Sequence, residues 1–144
     1  MNLRLKNIWN KEIDADIESI LNTHLEKWIE KSNQKYSIDI KYIGGEISST
    51  YFDKYLNVEE IIDMIPNLKY LEGFEKHFET SKNQINAEFL FPIIEDACGA
   101  IFISTHGKFS GQIIHVDNGD FGFAHIANNI DEFKIKLKEF NFKL

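Results

Sequence analysis

The expected architecture is decided by residues 112–125, which read Gln112-Ile113-Ile114-His115-Val116-Asp117-Asn118-Gly119-Asp120-Phe121-Gly122-Phe123-Ala124-His125. Two apolar runs flank Asn118-Gly119, the dipeptide that a type I′ turn prefers because both of its central residues need φ > 0. The stretch therefore predicts a β-hairpin. With Asn118-Gly119 as a two-residue loop, Val116 faces Phe121 across the ladder. The next pair on that apolar face is Ile114 with Phe123.

The segment before the hairpin predicts a further strand, which makes a meander, and the segment after it predicts a final helix. Ile101–Ser104 is β-branched and aromatic, which predicts a strand, and His106–Gly111 predicts a turn with Gly at both ends. Asn128-Asn129 can cap a final helix that we expect over Ile130–Phe140, with its apolar residues at helical spacing and Lys residues in its later turns.

The first half of the chain predicts mainly helices. Apolar residues recur every three or four positions over Asp14–Lys31 and form one stripe. Asn57, with Glu60 three residues later, is a capping-box start for a helix over Val58–Met64, which Pro66 interrupts before helical spacing resumes to about Glu79. Tyr36–Ile43 alternates apolar and polar residues, which favours a strand, before Gly44-Gly45 ends it.

Taken together, these elements predict an α+β fold. An N-terminal helix and a C-terminal closing helix pack on an antiparallel β-sheet meander, and residues 1–144 form a single domain.

Composition excludes several classes of protein. The chain has 16 Lys and Arg against 23 Asp and Glu, a net charge of −7 that argues against direct binding to nucleic acid. The charge is spread over both halves, with 9 basic and 13 acidic residues in 1–72 and 7 and 10 in 73–144, so it belongs to the whole surface. One Cys cannot form an internal disulfide, and no apolar run approaches the ~18 residues of a membrane span. We therefore expect a cytoplasmic protein that does not bind membranes.

The sequence contains no complete catalytic motif. Gly107-Lys108 lacks the other residues of a phosphate loop, and Cys98 lies in an apolar stretch that leaves a thiol unreactive. The hairpin register sends His115 and His125 to opposite faces of the sheet, so they cannot share a metal ion, and with His106 we expect them to be separate surface or edge histidines. We expect neither an enzyme, nor a cofactor, nor a metal site.

The second half of the chain resembles the SUKH superfamily, the group related to the yeast cell wall assembly regulator. The residues that carry the resemblance are Phe91-Pro92-Ile93-Ile94-Glu95-Asp96-Ala97-Cys98-Gly99 and Ile126-Ala127-Asn128-Asn129-Ile130-Asp131-Glu132-Phe133. Upstream, Tyr36 followed by Gly44-Gly45 is similar to another pattern of that family, although Gln34-Lys35 stands where the family has Leu-Pro. There the resemblance implies the end of a helix over Tyr36–Ile43, against the strand that the alternation favours.

The resemblance implies a non-catalytic, protein-binding function. Bacterial SUKH members are largely immunity proteins that neutralise cognate toxins, often nucleases. A nuclease presents a basic surface to phosphate, so an acidic inhibitor can complement it. The candidate contacts are the surface carboxylates Asp53, Glu59, Glu60, Glu95, Asp96, Asp117 and Asp120, with Tyr51 and Tyr55 as aromatic anchors.

Two other functions stay open from the sequence. One is a SUKH-type regulatory or scaffold domain that binds a partner other than a toxin. The other is a small enzyme or ligand-binding domain, which predicts a pocket with convergent polar groups and shifted pKa values.

Overall fold

The computed structural model describes residues 1–27, 34–41, 47–52, 54–69, 71, 86–96, 99–117 and 123–141. Its helices are α1 (Leu3–Trp9), α2 (Ala15–Lys27), α3 (Val58–Met64) and α4 (Ile130–Lys136), with 3₁₀ turns at Ile65–Asn67 and Ala87–Phe89. Its strands are β1 (Gln34–Lys41), β2 (Ile47–Phe52), β3 (Leu90–Glu95), β4 (Gly99–Ser104), β5 (Ile113–Asp117), β6 (Phe123–Ala127) and β7 (Lys138–Asn141).

The strands form two antiparallel sheets, so the predicted α+β class is confirmed. The larger sheet is a four-stranded meander in the order β3-β4-β5-β6, and the smaller one has the order β2-β1-β7. The smaller sheet joins the first and the last of these strands, since β7 pairs with β1.

The larger sheet is buried on both faces around its second strand. All six residues of β4 are buried, and four of the five residues of β5 are buried too. Pro92 is tolerated in β3 because this strand lies at the edge of the sheet and the pairing shifts register between Pro92 and Ile94, where a ladder hydrogen bond is not required.

The predicted hairpin is confirmed, but its register is wrong by two residues. Val116 pairs with Phe123 rather than Phe121, and Ile114 pairs with His125. The connection between β5 and β6 is longer than two residues, and residues 118–122 lie outside the described part of the chain. A shift of two positions keeps every side chain on its face, so His115 and His125 do point to opposite faces.

The smaller sheet settles the two expectations for Tyr36–Ile43. Residues 34–41 form a strand, so the alternation is confirmed and the helix end that the family resemblance implied is wrong. Tyr36, Ile38 and Ile40 are buried on one face of β1, and strands pair along both of its sides. An alternating stretch with a buried face and two neighbours is stable as a strand.

The closing helix is shorter than expected. It begins at Ile130 after the Asn129 cap, as predicted, but it ends at Lys136 instead of reaching Phe140. Leu137 is extended, and the residues after it pair with β1 as the strand β7. Pairing with a distant strand thus overrides the local helical pattern.

The remaining helices largely follow their sequence signals. In α2, Ile17 and Leu21 are buried one turn apart. The capping box of α3 is confirmed: the Glu60 N–H donates to Asn57 Oδ1 at 2.9 Å, and the Asn57 N–H donates to Glu60 Oε1 at 3.2 Å. Gly44-Gly45, Cys98 and the helical segment expected beyond residue 71 lie outside the described residues.

Aromatic contacts hold the layers together. Trp9 of α1 meets Phe91 of β3 edge to face at 5.1 Å between ring centroids. Phe52 of β2 stacks between Tyr36 at 5.7 Å and Phe133 of α4 at 6.4 Å, which fastens the smaller sheet to the closing helix. Such pairs add about 0.5–1.5 kcal/mol each beyond the area that they bury.

The start of β4 lies unusually close to β5. A Cβ atom at Gly99 would be 1.9 Å from the backbone oxygen of Val116, a clash with main chain that a side-chain rotation cannot relieve. We therefore expect Gly99→Ala to lower the free energy of unfolding by about 2 kcal/mol or more, measured by urea denaturation.

Gly107→Ala is the matched control for this substitution. A Cβ there meets no atom within 4 Å, but its φ of +87° favours Gly, so only backbone strain of about 1 kcal/mol is expected. Equal losses from the two substitutions would contradict the steric explanation.

Candidate functional site

The structure divides the predicted contact residues among three regions. Glu59 and Glu60 lie in the first turn of α3, Tyr51 lies on β2, and Glu95, Asp96 and Asp117 lie at one end of the larger sheet. Asp53 and Asp120 fall outside the described residues. The predicted residues therefore do not form one compact patch within the described part of the chain.

The two glutamates of α3 are already engaged with basic side chains. Arg4 of α1 bonds Glu59 at 2.8 Å, and Lys54 bonds Glu60 at 3.0 Å. Partial burial opposes ionisation of Glu60, but bonds from Lys54 and from the Asn57 N–H outweigh it, so the pKa of Glu60 is below its ordinary value. A cationic partner would have to compete with Arg4 and Lys54 for these carboxylates.

The two candidate aromatic anchors lie in opposite environments. The Tyr51 residue is 55 % exposed, whereas Tyr55 is 2 % exposed and belongs to the core. Burial, with a smaller contribution from Tyr36, raises the pKa of the Tyr55 phenol. Tyr55 is therefore not presented to a partner in this conformation, and Tyr51 is.

Tyr51 belongs to the solvent-facing side of the smaller sheet, which we call the outer face (Ser37, Asp39, Ser49, Tyr51 and Lys138). Tyr51 pairs with Ser37 across β1, and Ser37 pairs with Lys138 on the other side. The Asp39 carboxylate accepts hydrogen bonds from Lys138 Nζ at 2.9 Å and Ser49 Oγ at 2.8 Å. The Lys138 bond is the main reason that the pKa of Asp39 is lowered. An aromatic side chain thus stands beside an ordered polar network.

At the end of the larger sheet, the sheet register places two further residues of the predicted contact set. Glu95 pairs with Ala100 and is exposed, and Asp117 pairs with Gly99 and is half-buried. They lie on opposite faces because their partners on β4 are consecutive. We call Glu95 and Asp117 the acidic end.

Asp96, which we expected among the surface contacts, is enclosed. Its carboxylate and the His115 imidazole are both 0 % exposed, and His115 Nε2 lies 3.0 Å from Asp96 Oδ2. The other oxygen, Oδ1, accepts the N–H of Gly99 at 2.9 Å. His115 was likewise expected at a surface or edge. That prediction is wrong, because both faces of the sheet are covered and the His115 side chain is 0 % exposed.

The remaining His of interest, His106, bridges two carboxylates. Its Nε2 lies 2.7 Å from Glu12 Oε2, and its Nδ1 lies 2.7 Å from Asp14 Oδ1. Phe89 meets the imidazole edge to face at 5.0 Å. Sequence reasoning missed this cluster because its members are about 90 residues apart, and no local pattern joins them.

Beside this cluster runs an open groove of about 570 Å³, lined by Lys6, Asn10, Lys11, Glu12, Ile13, Glu18, Glu88 and Phe89. Its polar groups largely bind one another: Lys6 bonds Glu18 at 2.8 Å, and Glu12 is held by His106. Lys11 Nζ lies 4.8 Å from the centroid of a Trp9 ring. The groove is therefore internally neutralised and does not present a set of converging free polar groups.

Among the described residues, no group of three or more His, Cys, Asp and Glu side chains could hold a metal ion. The helices in the described ranges are also too short or too polar to cross a membrane. Comparison with models of protein families finds no match, and no curated protein matches the chain.

The contribution of the enclosed Asp96–His115 pair to the stability of the fold can be measured by substitution. We expect Asp96→Ala and His115→Ala each to lower the free energy of unfolding by about 2–3 kcal/mol, since each leaves a buried polar partner unsatisfied. The double variant should lose less than the sum of the two, with a coupling of about 1–3 kcal/mol in a double-mutant cycle measured by chemical denaturation. Additive losses would show that the two groups do not interact.

Proposed function

We propose that this chain is a non-catalytic protein-binding domain whose partner is a basic protein. More narrowly, we propose an immunity protein of the SUKH type that neutralises a cognate bacterial toxin, such as a nuclease, by direct binding in the cytoplasm. The narrower proposal is supported by the resemblance of residues 91–140 and by the net charge of −7. The partner is a protein, with no direct contact to nucleic acid or membrane.

The observation that carries the proposal is the acidic end of the larger sheet. Glu95 is exposed, and the sheet register fixes it and the half-buried residue Asp117 at the same end of the meander, on opposite faces. Carboxylates held on a rigid element raise the rate of association with a basic surface and orient the encounter. The outer face adds Tyr51, a residue type that is enriched among interface hot spots.

A small-ligand function is the second candidate, and the groove beside α2 is the observation that favours it. Its volume of about 570 Å³ lies within the range of ligand pockets. However, the pairing of Lys6 with Glu18 and of Glu12 with His106 leaves few polar groups to orient a ligand. Protein binding therefore remains the function that we propose.

The direct test uses the toxin encoded next to the gene of this chain. We expect the purified chain to bind that toxin and to protect cells that express it, measured by calorimetry and by a growth assay. No binding and no protection with any toxin encoded beside the gene would overturn the immunity proposal. Binding to an adjacent protein that has no toxic activity would favour the regulatory or scaffold alternative instead.

Neutralising the acidic end tests which surface meets the partner. We expect Glu95→Gln and Asp117→Asn each to weaken binding by about two- to fivefold, mainly through slower association, and more strongly at low salt. Asp131→Asn is the matched control because Asp131 is an exposed carboxylate on α4, which follows the opposite end of β6. An equal effect of all three substitutions would indicate a general charge effect instead of a contact.

Truncating the exposed aromatic side chain tests the outer face. We expect Tyr51→Ala to weaken binding by about tenfold or more if this ring is an anchor, with little change in unfolding because the residue is 55 % exposed. Tyr51→Phe keeps the ring and should retain most of the affinity. Leu3→Ala serves as the control, since Leu3 is also exposed but lies on α1. Unchanged binding by Tyr51→Ala would exclude the outer face from the interface.

A further inference from the structure

The His106 bridge has a property that its geometry alone establishes. Both ring nitrogens lie 2.7 Å from carboxylate oxygens, Nε2 from Glu12 and Nδ1 from Asp14. The Nδ1 contact is a hydrogen bond and the Nε2 contact is an ion pair. An ionised carboxylate can only accept hydrogen bonds, so a neutral ring that keeps its proton on Nδ1 for Asp14 presents the lone pair of Nε2 to the Glu12 carboxylate. The arrangement therefore favours the imidazolium form, since a neutral ring can keep the Asp14 hydrogen bond but not the Glu12 ion pair.

The two bonds differ in how firmly their carboxylates are held. The Glu12 side chain is 73 % exposed, whereas the Asp14 side chain is 35 % exposed. The Asp14 N–H also donates to the carbonyl oxygen of Thr105 at 2.8 Å, next to the His itself. Loss of one proton should therefore release Glu12, the more solvated partner, and leave His106 bonded to Asp14.

The residues that this bridge holds form one wall of the groove. Glu12, Ile13 and Phe89 all line the groove, and Phe89 packs against the His106 ring. Thr105 links these two segments, because its N–H donates to the Phe89 carbonyl at 2.9 Å and its Oγ1 donates to the Glu12 carbonyl at 2.9 Å. The segment before α2 is thus attached to the end of β4 at a single small junction.

We propose that His106 is a pH-responsive latch on this junction. When protonated, it fastens residues 12–14 to the end of β4. When His106 is neutral, the ion pair with Glu12 is lost, and residues 12–14 are held less firmly beside the groove. The latch is independent of the partner that the chain binds.

Charged groups of both signs surround the His106 ring. Glu12 and Asp14 face it from the segment before α2, Glu88 adjoins Phe89 on the 3₁₀ turn, and Lys108 follows in the turn of His106 itself. Lys108 Nζ lies 5.7 Å from the centroid of the Phe109 ring. Across the groove, Lys6 is bonded to Glu18.

These groups set the direction in which the latch responds to pH. The hydrogen bond that the His106 ring donates to Asp14 is the main cause that raises the pKa of His106, the charges of both carboxylates add to it, and partial desolvation opposes it. Because the folded pKa is raised, the latch is fully closed below the ordinary value of 6.5 and opens as pH rises through the folded pKa.

The experiment is a pH titration of the whole chain by NMR, from about pH 5 to about pH 9. It follows the His106 ring resonances together with the protection factor of the Asp14 amide, which donates to Thr105, against hydrogen exchange. We expect the ring to titrate above 6.5, with protection falling about two- to fivefold over the same interval. A ring that titrates below 6.5, or protection that stays constant while the ring titrates, would overturn the latch.

Two variants separate the latch from general effects of pH. His106→Gln cannot take up a proton, so the protection of Asp14 should lose its pH dependence. His125→Gln is the matched control, since His125 is exposed on β6, two strands from β4, and its removal should leave the pH dependence as in the unsubstituted chain. The same pH dependence in His106→Gln as in the unsubstituted chain would also refute the proposal.

Discussion

The burial of β4 on both faces is the constraint on which the rest of the structure depends. Because none of its six residues reaches solvent, the sheet needs cover on both sides. Contacts between α3 and β3, between α4 and β6, and between β1 and β6 place helices and the smaller sheet around the meander. The smaller sheet, which forms part of this cover, is itself built from distant segments, because β7 pairs with β1.

The same constraint explains why a His and a carboxylate meet at each end of β4. Backbone groups at the ends of a buried strand need hydrogen-bond partners, and a polar side chain beside them can supply one. Before β4, Asp96 meets this need with the Gly99 N–H and the enclosed ring of His115. After it, Thr105 and His106 bond the segment that leads into α2. The first pair is sealed from water and serves packing, whereas the second reaches the surface, where a change of proton occupancy can alter the contacts.

Local sequence signals predicted the elements whose stability is local. The Asn57 and Glu60 capping box, the stripe of α2 and the β5–β6 hairpin all come from residues close in sequence, and all are present. What local signals could not supply was the pairing of distant segments. The residues after Leu137 continue a helical pattern but form β7, because β1 offers a free edge. In α1, Leu5 and Trp9 alone are buried within the helix, too few to create a recognisable stripe. The family resemblance failed at Tyr36–Ile43, where its motif was weakest, and its closer match over residues 91–140 stays a prediction.

The candidate site shows the same limit, because exposure is set by the whole fold. Asp96 and Glu95 are neighbours in sequence and equally acidic, yet one carboxylate is enclosed and the other is exposed, since Asp96 bonds the Gly99 N–H and lies against the buried His115 ring. Tyr51 and Tyr55 are separated in the same way by the end of β2. Net charge alone therefore overstates the surface that is available to a cationic partner. Glu59 and Glu60 are partly neutralised by Arg4 and Lys54, so a basic partner gains less from them than from Glu95, which the sheet holds exposed. An interface that includes Glu95 would keep its charge complementarity without first breaking the ion pairs that join α1 and Lys54 to α3.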